Sequence, residues 1–102
     1  MGLEAWNGAT QKAIAMVAPR FVARRAELRE RVSQEVWLVS VLRDELRKRY
    51  ESWHRDALGS DIVEREARIE LLRRELDGLE AERKAAVAVE RDRILAERKS
   101  VT

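Results

Sequence analysis

Arginine is the side chain this sequence supplies most freely for chemistry. It occurs 17 times against four lysines, and a guanidinium stays charged and forks onto carboxylates or phosphates. Two runs concentrate it. Arg20, Arg24, Arg25, Arg29 and Arg31 form the first, and Arg43, Arg47, Lys48, Arg49 and Arg55 the second. Several such residues on one face would neutralise phosphates and give salt-sensitive, sequence-independent binding of nucleic acid. Arg20, Arg24, Arg25 and Arg29 are the candidate phosphate contacts. Glu27, Glu30, Asp44, Glu45 and Glu51 interleave with them, however, and the net charge is only +2. That is low for a dedicated nucleic-acid binder, so nucleic acid stands as the second reading.

Catalytic constellations are missing. His54 is the one histidine, and its neighbours one helical turn away, Tyr50 and Leu58, offer no further metal ligand. With no cysteine there is no disulfide framework and no thiolate zinc site. No Ser-His-Asp set, nucleophile elbow or phosphate-cradling glycine loop occurs. Carboxylates are plentiful but stand beside Arg or Lys on faces expected to be wet, where they stay ionised. A non-enzymatic protein is expected, with no metal, no cofactor and no small-molecule substrate.

The remaining chemistry is apolar. Val36-Trp37-Leu38-Val39-Ser40-Val41-Leu42 places six large apolar side chains in seven consecutive positions, enough to circle a helix. A helix apolar all round must be covered all round. Exposed patches of that kind mark interaction surfaces, and Trp is a frequent interface anchor. The first reading is therefore a helical interaction or assembly subunit of a larger complex. It docks through Val36, Trp37, Leu38 and Val41, with Trp6 as a further anchor. Its partner is another protein or a second copy of the chain.

These residues need helices to position them. Charged residues make up 39% of the chain and aromatics 5%, and Leu, Ala, Val, Arg and Glu dominate, as in long helices and coiled coils. One domain at most fits 102 residues. Leu28, Val32, Val36, Val39, Leu42, Leu46, Tyr50, Trp53 and Ala57 recur at spacings of three and four, as do Ile62, Ile69, Leu72, Leu76 and Leu79. Each series is one stripe of an amphipathic helix. Beyond Leu79 the second stripe thins to Ala86, Val87 and Ile94.

Gly59-Ser60-Asp61 is the strongest break, with Gly59 suited to close one helix and Asp61 and Glu64 to cap the next. Pro19 suits the first turn of a helix. The expected fold is all-α, a long antiparallel, coiled-coil-like hairpin. It comprises a short amphipathic N-terminal segment (1–18), a first long helix (19–58), a turn (59–61) and a second long helix (62–99). If the N-terminal segment folds back at Pro19, it brings Leu3 and Trp6 to Trp37 and makes a three-helix bundle. Simple pairing about the break places Leu76 to Lys84 opposite the Trp37 belt. There, Gly78 would permit a close backbone approach.

Residues 5–26 carry Lys12, Arg20, Arg24 and Arg25 and no acid. Such a stretch can also lie on an anionic membrane surface or act as an organelle-targeting segment, giving a third reading as a peripheral membrane or organellar accessory subunit. No apolar run nears the ~20 residues of a membrane span, and no secretory leader is evident. An intracellular location is expected, soluble or complex-bound. The cytoplasm comes first and mitochondria or another organelle second.

Overall fold

The computed structural model describes residues 2–48 and 50–101. It contains two helices, α1 from Leu3–Leu46 and α2 from Ser52–Val101, and no strand among the described residues. They pair as an antiparallel hairpin whose contacts fall into two units. One comprises Met1–Arg25 with Asp77–Thr102, the other Ala26–Leu76. Arg49, of the second basic run, lies outside the described residues.

The expected boundaries need three corrections. First, α1 continues unbroken through Pro19, so no separate helix spans 1–18, none folds back onto the Trp37 belt, and no three-helix bundle forms. An interior proline lacks the N–H that would reach the carbonyl four residues back and costs ~3 kcal/mol. Ala15 and Pro19 are both exposed, so water can take up the orphaned carbonyl. Ala9, Ala13 and Val17, none of which exposes any surface, hold this part of α1 against α2.

Second, the chain does not turn at residues 59–61. Gly59, Ser60 and Asp61 lie inside α2, and no glycine has a positive φ. The reversal comes between Leu46 and Ser52. There Arg47 N and Lys48 N donate to the carbonyls three residues back at 3.2 and 3.0 Å, tightening the last turn of α1. The carbonyl of Glu51 accepts from His54 N and Arg55 N at 3.0 and 3.1 Å, which starts α2.

Third, this earlier turn changes the pairing. Val39 packs with Ile62 and Ile69, and with Leu42 and Leu46 at the edge, where a turn at Gly59 would have set Leu76 to Lys84. Complete burial of an Ile or Val contributes roughly 1.5–3 kcal/mol. One such contact outweighs the ~1 kcal/mol that a helical glycine costs relative to alanine. The space around Gly78 is open to 4 Å, so no close backbone approach accounts for it.

In the first unit the core is Ala13, Val17 and Val87, flanked by Phe21, Ala86 and Ile94. Alanine at the contact lets helix axes approach to the lower end of the usual 8–10 Å range. The thinned stripe beyond Leu79 thus still supplies core through Val87 and Ile94. In the second unit Leu28 and Leu72 are buried as well. Trp53 and Ala57, expected in the inward stripe, are exposed.

Candidate functional site

The second unit carries the apolar belt. Val39 turns inward and is 6% exposed, whereas Trp37 is 64% exposed, Val36 44% and Val41 38%. Helical geometry requires the division: Trp37 and Val41 lie one turn apart on the face opposite Val39. Leu38 is half-buried. Ser33, Gln34, Trp37 and Leu38 line a shallow hollow on this outer face. The structure therefore sets Trp37, Leu38 and Val41 on the outer side of α1, whereas Val36 lines a separate groove with Val39, Arg43 and Ile69. Trp6 does not join them, because it lies on the same unbroken helix in the other contact unit. Trp6 is 44% exposed, with the Arg91 guanidinium 4.8 Å from its ring centroid, a cation–π contact.

The arginines proposed for phosphate are largely engaged within the chain. Arg20 pairs with Glu90 at 3.7 Å. Arg25 is near enough to Glu80 to add to the lowering of its carboxyl pKa, which the Arg83 hydrogen bond dominates. Arg24 also has an interaction partner, and Arg29 is exposed. In the second run, Arg43 donates to Glu66 of α2 and Arg47 pairs with Asp44 at 3.3 Å. A groove along this flank is lined by Arg43, Arg47 and Arg73, but equally by Asp44, Glu66 and Glu70. Three charges of each sign leave no net attraction for a phosphate.

Acids and bases pair along and between the helices. Asp61–Arg65 and Glu70–Arg74 form at 3.2 and 3.4 Å, Glu80 pairs with Arg83, and Arg68 reaches across to Glu35 at 3.9 Å.

Glu35 was not singled out from the sequence. It accepts from Arg65 Nη1 at 3.1 Å, and both side chains are about four-fifths covered. The Glu35 hydrogen bond raises the Arg65 pKa, with burial acting the other way and Asp61 adding charge. Arg65 Nε also lies 3.2 Å from Asp61, though without hydrogen-bond alignment. The available signal was an acid between Val32 and Val39 on one inward stripe and an arginine between Ile62 and Ile69 on the other. Such a pair fixes register between helices.

A second unforeseen cluster sits at the turn. Tyr50 Oη donates to Glu45 at 2.6 Å, and Lys48 Nζ donates to the same carboxylate at 2.8 Å. The Tyr50 ring stacks on His54 with centroids 4.2 Å apart, and the Trp53 ring is tilted against His54 at 5.3 Å. These bonds, Lys48 first, hold the Glu45 carboxyl below the ordinary carboxylate range. The same carboxylate pushes the Tyr50 hydroxyl and the Lys48 ammonium upward. The cluster ties the end of α1 to the start of α2 without a glycine or a proline.

Among the described residues no helix is long and apolar enough to cross a membrane, and no group of three or more His, Asp or Glu is placed to hold a metal ion. Comparison with protein-family models, with curated proteins and with solved structures finds no match for this chain.

Proposed function

We propose that this chain is a non-enzymatic helical interaction subunit that docks through the outer face of α1 at Trp37 and Val41. The observation that carries the reading is a tryptophan left 64% exposed on a helix whose opposite face is already buried. Leaving a large aromatic in water forgoes the burial on which aromatic side chains dominate interface energetics. Trp anchors surrounded by smaller apolar residues are the usual centre of a protein interface. Leu38 flanks the anchor and completes the patch, whereas Val36, expected in it from the sequence, lines the neighbouring groove. A peripheral membrane or organellar role for the N-terminal segment has weaker support, because Ala9, Ala13 and Val17 are buried and the apolar residues left exposed there, Leu3, Trp6, Ile14, Met16 and Val22, are spread around the helix and not gathered on one face. Nucleic-acid binding is the weaker reading, since Arg20 pairs with Glu90, Arg24 and Arg25 also interact within the chain, and the second basic run is interleaved with as many acids.

Trp37→Ala tests the proposal. Substitution of an exposed residue alters the stability of the single chain by about 0.5 kcal/mol or less, so its helix content should be unchanged. Tagged wild-type chain should retain proteins from its own cell lysate that the variant loses. A variant that unfolds would place Trp37 in the core, and a variant with an unchanged set of bound proteins would remove the belt from the function.

A further inference from the structure

We infer that the occupant of the Trp37 face is a second copy of this chain, with the two α1 helices packed antiparallel about a two-fold axis near Val39. This rests on the docking reading above and specifies its partner. Three observations carry it.

The first is area. The chain exposes 7562 Å², whereas a compact monomer of 11.9 kDa exposes roughly 6,000 Å². The excess of about 1,600 Å² is twice the ~800 Å² that each partner contributes to a standard interface. Among the described residues, Leu28 and Val17 are the only fully buried side chains of any size. A core this thin is of the kind that association completes.

The second is spacing. Glu30, Gln34, Trp37, Val41, Asp44 and Lys48 follow one another at intervals of four and three along the outer face, and all six are exposed. These intervals keep the six on one stripe of the helix, with Trp37 and Val41 as its apolar centre and polar residues at both ends. Lys48 lies just past the end of α1, continuing the line.

The third is charge. With the axis near Val39, each Trp37 meets the partner's Val41. The hollow at Ser33, Gln34, Trp37 and Leu38 receives an apolar knob. Each Glu30 faces the partner's Lys48, and each Gln34 amide faces the partner's Asp44; in forming these pairs the exposed groups share or exchange their contacts within the chain, Gln34 with Glu30, Asp44 with Arg47 and Lys48 with Glu45. A parallel arrangement would instead set Glu30, Asp44 and Lys48 each against its own copy, which like charge disfavours. The face is complementary to itself in one orientation only.

The chain's lack of cysteine makes the geometry testable. Wild-type chain, Trp37→Ala, Gln34→Cys and Asp44→Cys are prepared with helix content checked by circular dichroism. Sedimentation equilibrium should give twice 11.9 kDa for the wild type at concentrations up to about 0.1 mM, where micromolar contacts are populated. Trp37→Ala should weaken association about 30-fold or more, as loss of a central anchor does. Under mild oxidation a mixture of Gln34→Cys and Asp44→Cys chains should cross-link. Either alone should not, because like positions would stand about 15 Å apart along the helices and a disulfide spans less than about 7 Å between Cα atoms.

Cross-linking by either variant alone as efficiently as by the mixture would overturn the antiparallel register. A dimer indifferent to Trp37→Ala would overturn the face. A folded monomer across the range would overturn the second copy as occupant. In that case, Trp37-dependent capture of other proteins would leave the docking reading standing, and its absence would remove both.

Discussion

Gly59→Ala separates two placements of the turn by the sign of its effect. In the structure Gly59 is helical, without a positive φ, and nothing lies within 4 Å of where a Cβ would sit. Alanine there removes the glycine's backbone entropy penalty and adds no clash, so stability should rise by about 1 kcal/mol. For a chain of this size that is an increase in Tm of roughly 4–8 °C. Had Gly59 closed a helix in the left-handed conformation, alanine would cost roughly 1–2 kcal/mol and Tm would fall.

The two outcomes therefore differ by about 2–3 kcal/mol, well outside the error of a melt. The assay is thermal unfolding by circular dichroism, with urea unfolding to confirm that the midpoint moves while the slope stays fixed. Gly78→Ala makes the parallel test in the other contact unit, where the same open surroundings predict a similar gain. If Gly78 were needed for a close approach, overpacking would instead cost about 1–3 kcal/mol. The two gains should add, as they do for distant sites. A lowered Tm for Gly59→Ala would refute the assignment of the turn to the segment between Leu46 and Ser52.

Leu28 is 1% exposed, so Leu28→Ala should cost about 2–5 kcal/mol and lower Tm by more than ~10 °C. A Glu35→Gln and Arg65→Gln double-mutant cycle should show favourable coupling that persists in moderate salt, because both side chains are largely covered; additive effects would mean that the pair does not set the register. Tyr50 is the one tyrosine, so its ultraviolet titration is unambiguous: the midpoint should lie above 10.0 and return toward it in Glu45→Gln. The linked stability has two edges. With Tyr50 and Lys48 raised, their contribution is present below their unfolded pKa values and is lost as pH rises through the folded ones. With Glu45 lowered, its contribution is present above the unfolded value of 4.5 and is lost as pH falls through the folded one. Hydrogen exchange at the turn should be slowest between those edges, and a flat profile would show that the cluster does not fasten it.

Periodicity made the helical class and the antiparallel pairing legible, together with Leu28, Val39, Ile62, Ile69 and Leu72 as inward residues. Each of those signals is local or sums over one face of a helix. The turn was not legible for the same reason. Arg47-Lys48-Arg49-Tyr50-Glu51 contains no breaker, and Tyr50 and Trp53 continue the spacing of Leu42 and Leu46 as if the helix ran on. Gly59 and Pro19 are breakers by intrinsic preference, each with a cost of about 1–3 kcal/mol. Burial of Val39 with Ile62 and Ile69, and of Ala13 and Val17 with Val87, sets the register and outweighs those costs. Where a helix of this chain ends is decided by which side chains meet across the pair, a quantity that no window of sequence contains.

The same reasoning explains why the belt was visible while its cover was misjudged. Six large apolar side chains within seven positions exceed what one partner helix can bury, whatever the register, so an exposed remainder was certain from the sequence. Which residues form that remainder depends on phase. With Val39 and Leu42 committed to the Ile62 and Ile69 side, Trp37 and Val41 must face outward. The candidate site is thus the part of α1 that the hairpin cannot satisfy. The polar residues that continue its spacing, Glu30 and Gln34 before it and Asp44 and Lys48 after it, match an inverted copy of themselves. Self-complementarity of that kind needs no ligand and no second protein, and it gives the unburied tryptophan a cover already encoded in the same sequence.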